Sequence, residues 1–180
     1  MTCYGVIITI YQPFLRTSEN VPVADAFSTE ARRASTSAAL AIAKKMSEIH
    51  AIWGTEYTPL CILQWCTLAT LTLIDDLQTE PHREAFDELC ISLRSFARRW
   101  LLAKAILRTV QLTARKTKVA LPETSRKLFE TFEQESWTAE NQQQLRSLYP
   151  NISASAAKDG GPIEMDQFIR KWEADRKSVV

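Results

Sequence analysis

Apolar residues recur every three or four positions along most of the chain, which is the period of an amphipathic helix. An apolar run over residues 3–11 predicts a buried strand or the tail of a buried helix. Pro13 is expected to end it, because the residue before a proline is pushed out of the α region. A loop over 16–26 follows. Ser28 then predicts the N-cap of an alanine-rich helix that Gly54 ends.

The longest apolar segment covers residues 59–77 and is apolar almost all round, which indicates a central core helix or a membrane span. Thr58 and Pro59 predict its N-cap and first helical position. Gln64, several threonines, two closing aspartates and the lack of flanking lysine or arginine disfavour a membrane span. We therefore expect no membrane association and a buried central helix over 59–77.

Further helices are predicted downstream, where prolines or a hydroxyl N-cap mark most of the starts. They run from Pro81 to the Arg98-Arg99 pair, over about 101–116, from Pro122, and from Thr138. The fold class predicted is all-α, an irregular array of about six to eight helices around the buried central helix. Scarce glycines and singly scattered prolines disfavour a sandwich or a barrel.

The length of 180 residues suits one domain. We expect a helical regulatory-type domain over 1–149, a Ser/Ala/Gly-rich linker over 150–162, and a short amphipathic helix and tail over 163–180. Large apolar residues at helical spacing form the predicted core, with Trp65 at its centre. The predicted core residues are Trp65, Leu68, Leu71, Phe86, Leu89, Leu93, Phe96 and Ile106.

The net charge is +1, so no overall field favours nucleic acid or an anionic membrane. Residues 89–122, however, carry eight basic side chains and no acidic one. This stretch is a candidate interaction surface, or else a solvated face near the acidic residues Glu123, Glu130, Glu133 and Glu135. No helix-turn-helix, zinc-finger or basic-zipper signature occurs, so no direct nucleic-acid contact is expected. The candidate surface residues are Arg94, Arg98, Arg99, Lys104, Arg108 and Arg115.

Asp75, Asp76 and Glu80 form the most enzyme-like cluster, at the end of the apolar helix. Clustered carboxylates can hold magnesium ions that bind a diphosphate, as in the all-helical terpene synthases. A second metal motif of those enzymes has no convincing match in 81–180. A fragment of such a metal-dependent enzyme is therefore the alternative function, and the carboxylates are otherwise the point where a buried helix reaches water.

The histidines and cysteines give no metal-site pattern. His50 and His82 have no partners at ligand spacing. Cys3, Cys61, Cys66 and Cys90 lie among apolar residues, without a CxxC pair or a signal peptide, which is typical of buried reduced thiols in an intracellular protein. We expect no metal, no cofactor and no catalytic residue.

Four segments, taken in order, resemble one protein family. They are YGVIITIYQPFL, EARRASTSAALAIAKKM, TPLCILQWCTLATLTLIDDL and FDELCISLRSFARRWLLAKAILRTVQ. Their order and spacing over about residues 1–118 are similar to the C-terminal half of the regulatory, or middle homology, region of fungal zinc-cluster transcription factors. The resemblance implies a nuclear, non-catalytic regulatory module that acts through protein contacts or ligand sensing, and we expect protein partners or self-association.

The chain also departs from that family. Its members carry an N-terminal six-cysteine zinc cluster that contacts DNA, and a first regulatory half with an Arg-x-x-Trp-Trp segment, and neither is found here. The expectation is a truncated regulator, in which the run 3–11 is the tail of a helix whose start is missing. A third interpretation is a helical scaffold whose missing partner helices come from another chain.

Overall fold

Six α-helices make up the part of the chain that the computed structural model describes, residues 1–15, 22–54, 58–135 and 140. No strand occurs in those ranges, so the predicted all-α class is confirmed. The predicted helices from Thr138 and over 163–175, and the linker over 150–162, lie outside the described residues. The helices are α1 (Thr2–Leu15), α2 (Pro22–Trp53), α3 (Cys61–Leu73), α4 (Glu80–Arg99), α5 (Leu101–Thr117) and α6 (Glu123–Glu135).

Helix α1 continues past the proline that was predicted to end it. Pro13 lies inside the helix, two residues before the end at Leu15. A proline removes one N–H from the helical ladder and its ring crowds the carbonyl four residues earlier, but here the helix ends two residues later, so no further turns are disturbed. The prediction that Pro13 ends this element was therefore wrong, and of the two alternatives for residues 3–11, strand or helix, the helix is correct.

Helix α2 begins earlier than predicted, at Pro22 instead of Ser28. A proline suits the first helical position, because its missing N–H would have no partner there. Residues 22–26 are thus helical and not part of a loop. The predicted end is confirmed, since Gly54 follows the helix with a φ of +68° that side chains other than glycine rarely adopt.

Helix α3 is shorter than the apolar segment that predicted it. A turn precedes it, in which the Pro59 carbonyl accepts the Ile62 N–H at 3.1 Å. Leu60 occupies the N-cap position without a side-chain cap bond, and the buried Thr58 hydroxyl has no hydrogen-bond partner among the described residues. The predicted capping role of Thr58 was wrong. At the other end, α3 stops at Leu73 and not at residue 77.

The threonines of α3 fit its apolar setting because their hydroxyls bond within the helix. Thr67, Thr70 and Thr72 each donate to the carbonyl four residues earlier, at 2.7, 2.7 and 2.8 Å. A buried hydroxyl satisfied in this way costs far less than an unpaired one. Seven of the 13 residues of α3 are buried, whereas Cys61 and Gln64 are exposed, so part of this helix faces solvent.

All six helices contribute side chains to one buried cluster. α3 packs against α1, α2, α4 and α5, and α4 packs against α2, α3, α5 and α6. Trp65 and Leu71 are only partly buried and pack against this cluster, and the Trp65 ring also lies against Gly5 on α1. Trp65 is therefore not at the centre of the core. The other six predicted core residues are buried, namely Leu68, Phe86, Leu89, Leu93, Phe96 and Ile106.

The helices α4, α5 and α6 follow the sequence pattern closely. Arg99 ends α4, Trp100 adopts an extended conformation that separates it from α5, and Lys118 ends α5 with a left-handed φ of 52°. The first turn of α6 is capped from α4: the Asp87 carboxylate accepts the backbone N–H of Ser125 at 3.0 Å and also the Ser125 hydroxyl. This contact satisfies an N–H that the helix itself leaves unpaired.

Candidate interaction surfaces

The basic residues of 89–122 divide into two groups in the structure. Arg108 and Arg115, both on α5, contact Glu133 on α6. The Arg108 Nη1 lies 3.0 Å from Glu133 Oε1, and the Arg115 Nη2 lies 2.5 Å from Oε2. Glu133 is one of the acidic neighbours considered from the sequence. These two arginines therefore join helices of the same chain, and the alternative of a face near acidic neighbours describes them.

Gln111 extends this contact into a polar network between α5 and α6. Its buried amide donates to the Phe129 carbonyl and to Glu133 Oε2, both at 3.3 Å, and its oxygen accepts from Arg108 at 2.6 Å. A buried amide of this kind would be costly without partners. Sequence reasoning missed Gln111, although a glutamine on the apolar face of an amphipathic helix is a recognisable signal.

The two arginines set the charge state of Glu133. The hydrogen bond from Arg115 is the largest cause, with Arg108 adding to it, and together they hold the pKa of Glu133 below its ordinary value of 4.5. The carboxylate form is therefore favoured in the folded chain. Its side chain is 37% exposed, so solvent screens part of this effect.

Glu133→Gln is expected to lower stability at neutral pH and to have little effect in acid. A lowered folded pKa contributes stability above the pKa of the unfolded state, and this contribution is lost as the pH falls through the folded pKa. The difference in urea midpoint between wild type and Glu133→Gln should thus shrink below about pH 4. Glu130→Gln, an exposed position on the same helix, is the control. An equal difference at every pH would contradict the assignment.

The remaining basic candidates lie on α4 and at its junction with α5. The Arg94 guanidinium lies over the Phe132 ring, 5.5 Å from its centroid, and Arg99 lies 5.7 Å from the Trp100 ring centroid. Arg98 and Arg99 are exposed. Lys104, one turn into α5, is half-buried. Of the predicted surface, Arg98 and Arg99 at this junction are exposed, as is Arg115, which contacts Glu133.

The carboxylate cluster does not come together as a metal site. Asp76 contacts His82, whose Nδ1 lies 3.2 Å from Oδ2 and 2.9 Å from the Asp76 carbonyl oxygen. Asp75 is exposed as a residue, yet protein atoms around its carboxyl group raise its pKa by desolvation. Glu80 is exposed in the first turn of α4. Within the described ranges, no three His, Cys, Asp or Glu side chains are placed to hold a metal ion.

His50 and the cysteines belong to the packing of the helices. The Nδ1 atom of His50 on α2 lies 2.8 Å from Glu88 Oε1 on α4, without the alignment of a hydrogen bond. Burial raises the pKa of Cys66 to about 12 and raises that of Cys90 as well, so both stay protonated and unreactive at neutral pH. Cys3 and Cys61 are exposed, so the prediction that all four thiols are buried was wrong.

An exposed apolar face on α1 is the second candidate surface, and sequence reasoning missed it. We call it the α1 face, defined by Val6, Ile10 and Phe14 on α1 and by Phe27 on α2. Their exposed fractions are 43%, 59%, 43% and 60%. The sequence offered one signal: α1 contains no charged residue, so any side of it that faces solvent exposes apolar side chains.

None of the described helices is both long and apolar enough to cross a membrane.

The chain is similar to the notoamide biosynthesis transcriptional activator notL' of Aspergillus versicolor, with 33% identity over 129 residues. The match covers 64% of this chain and 20% of that protein, so the chain spans about a fifth of the length of this curated relative. No protein-family model matches the chain, and no solved structure matches it significantly. The chain thus contains a region similar to part of a fungal transcriptional activator.

Proposed function

We propose that this chain is a non-catalytic regulatory module that takes part in the regulation of transcription through protein contacts. The observation that carries the proposal is the 33% identity with a fungal transcriptional activator. That protein is a transcriptional activator of notoamide biosynthesis, and we extend only transcription regulation to this chain. The all-helical fold is consistent with the proposal, but helical folds serve many functions, so the fold alone does not favour regulation over another role.

In finer terms, we propose that the chain corresponds to the C-terminal half of the middle homology region, acts in the nucleus and does not itself contact nucleic acid. The helical domain would cover residues 1–149, followed by a linker and a short amphipathic helix. Support comes from the order of the four segments that resemble this region. The carboxylates Asp75, Asp76 and Glu80 receive no catalytic role, because no observation favours the enzyme alternative.

We place the contact with a regulatory partner at the α4–α5 junction, around Arg98, Arg99 and Lys104. Three basic side chains close in sequence, with two of them exposed, suit an acidic protein surface. The exposed ring of Trp100 between them adds an apolar contact of the type enriched at protein interfaces. Arg108 and Arg115 are left out of this surface because they contact Glu133.

A tethering assay tests the proposed function. The full chain is fused to an unrelated DNA-binding module in a fungal reporter strain, and reporter output is compared with that of the module alone. We expect a several-fold change, and we expect an Arg98→Glu, Arg99→Glu double variant to reduce it. A Lys44→Glu, Arg126→Glu double variant, at exposed positions on α2 and α6, is the charge-matched control. An output equal to that of the DNA-binding module alone contradicts the proposal.

A further inference from the structure

We propose that Ser95 on α4 is a phosphorylation site, and that a phosphate group there blocks the contact between the α4–α5 junction and an acidic partner. This inference rests on the proposed function, since it concerns the regulation of the same surface. The reaction is phosphoryl transfer from ATP by a serine/threonine protein kinase. The Ser95 Oγ bonds to the γ-phosphorus of ATP, the bond from that phosphorus to the β–γ bridging oxygen breaks, ADP leaves, and a base of the kinase takes the hydroxyl proton.

The Ser95 hydroxyl differs from the others on α3, α4 and α5 because it is not bonded within its helix. The other seven serines and threonines of these helices each donate to the carbonyl four residues earlier, namely Thr67, Thr70, Thr72, Ser92, Thr109, Thr113 and Thr117. Among the described residues, nothing accepts a hydrogen bond from Ser95. The residue is half-buried, yet its Oγ is not one of the buried polar atoms that lack a partner, so solvent reaches this oxygen.

Arginines surround Ser95 on its own helix. Arg94 precedes it, and the exposed Arg98 and Arg99 follow at three and four positions, the spacing at which helical side chains are neighbours. An acidic group N-terminal to a basic one is the more favourable order at this spacing. Residues 89–122 contain no acidic side chain, so a phosphate on Ser95 would be the first negative charge in this stretch. Its position therefore places it against the arginines that form the proposed contact surface.

The charge of a phosphate group is sufficient to neutralise that surface. The group carries about −1.5 to −2 charge near pH 7 and has three strong acceptor oxygens. Guanidinium groups bind phosphate through paired, charge-assisted hydrogen bonds. The ring contact of Arg99, 5.7 Å from the Trp100 centroid, is an exposed cation–π contact and weaker than such a pair. Phosphorylation would thus cancel the charge of two arginines and remove the attraction to an acidic partner.

The end of α4 opposes a phosphate only weakly at this position. The C-terminal end of a helix disfavours an anion, but the effect falls off within the last turn. Helix α4 ends at Arg99, so Ser95 lies just before that last turn. The arginines at three and four positions are closer in charge and in space than the partial charge of the helix end. Pairing with them therefore dominates the electrostatics of a phosphate on Ser95.

Mass spectrometry of the full 180-residue chain, purified from the fungal reporter strain in the presence of phosphatase inhibitors, tests the site itself. Wild type is expected to contain a fraction with one phosphate located at Ser95, and treatment with a phosphatase should remove it. Ser95→Ala should lack this species. A wild-type chain without phosphate at Ser95 overturns the inference, including the case in which another serine or threonine is modified instead.

The tethering assay tests the consequence. Ser95→Glu is expected to lower reporter output several-fold, as the Arg98→Glu, Arg99→Glu variant does, because its carboxylate pairs with the same arginines. Ser95→Gln has a similar size without the charge and should behave like wild type, as should Ser37→Glu at an exposed serine on α2. Circular dichroism should show the same helix content in all of them.

The outcomes separate this inference from the proposed function. Wild-type output with Ser95→Glu, or an equal fall with Ser95→Gln, overturns the regulatory role of a phosphate at Ser95. A wild-type chain without any output contradicts the proposed function instead, and the mass spectrum still decides whether Ser95 is modified.

Discussion

Replacing Phe86 by alanine is expected to lower the free energy of unfolding by about 3–5 kcal/mol. Phe86 is among the largest fully buried side chains, and it lies on α4, which packs against α2, α3, α5 and α6. Truncation loses the transfer free energy of the ring and also leaves a cavity, because helices held on several sides relax only partly. For a chain of this size we expect the melting temperature to fall by about 6–20 °C.

The control for Phe86→Ala is Ile91→Ala on the same helix. Ile91 is 39% exposed, so its truncation should cost less than about 1 kcal/mol. Both variants place alanine in α4, and phenylalanine and isoleucine have similar helix propensities, so the change in propensity is about the same in the two. Urea unfolding followed by circular dichroism compares them directly. A loss of similar size in the two variants would mean that α4 does not hold the position in the core that its contacts indicate.

The sequence predicted α4, α5 and α6 well because several local signals agree there. These helices have strongly amphipathic patterns, a proline within one residue of the starts of α4 and α6, and basic residues in the last turns of α4 and α5. Each signal acts within a few residues of the position it specifies. Local chemistry alone therefore located the boundaries, and the buried stripe followed from the helical period.

The boundaries of the first three helices were predicted less well, because tertiary packing overrides local signals there. Pro13 predicts the end of the first element, but the free-energy cost of a proline in the last turn is offset when the helix packs against α2 and α3. Thr58 and Pro59 looked like a helix start, yet the regular helix begins at Cys61 after a turn. Residues 60–77 are apolar on nearly every side of a helix, so the pattern does not distinguish a buried face from an exposed one. The sequence therefore could not indicate which side of α3 is exposed.

The candidate surfaces show the same division. The sequence identified the basic stretch, and it offered acidic neighbours as one explanation, but it could not tell which arginines pair. Arg108 and Arg115 lie on α5, whereas Glu133 lies on α6, so their pairing depends on how the two helices pack against each other. The α1 face depends on which side of α1 meets α2 and α3, and that is also a tertiary property.

Gly5 gives the clearest case of a contact that no local pattern could reveal. It lies in the interior of α1, where glycine is less favourable than alanine by about 1 kcal/mol. Its partner is the ring of Trp65, 60 positions away on α3. A Cβ atom added at Gly5 would lie 1.9 Å from Cε3 of that ring, far inside van der Waals contact. The glycine is therefore required by the close approach of α1 to α3.

Gly5→Ala is accordingly expected to destabilise the chain by about 1–3 kcal/mol, against the gain that helix propensity alone would give. The Trp65 ring is a large, partly buried group that cannot move aside without separating the two helices or leaving its own contacts. Urea unfolding at one fixed low protein concentration measures the effect, because any self-association would make stability depend on concentration. Gln12→Ala, on the same helix, is the control and should change stability by less than about 0.5 kcal/mol.

A second substitution tests whether the ring is the cause. Trp65→Leu removes most of the ring and is expected to cost about 1–3 kcal/mol by itself, because Trp65 is only partly buried. In that background Gly5→Ala should become neutral or stabilising, since the methyl group then enters space that the ring has left and the helix propensity of alanine is regained. The two substitutions should thus couple by about 1–3 kcal/mol. If Gly5→Ala costs the same with tryptophan or leucine at position 65, the strain lies in α1 itself, and the close approach to α3 is not the reason for the glycine.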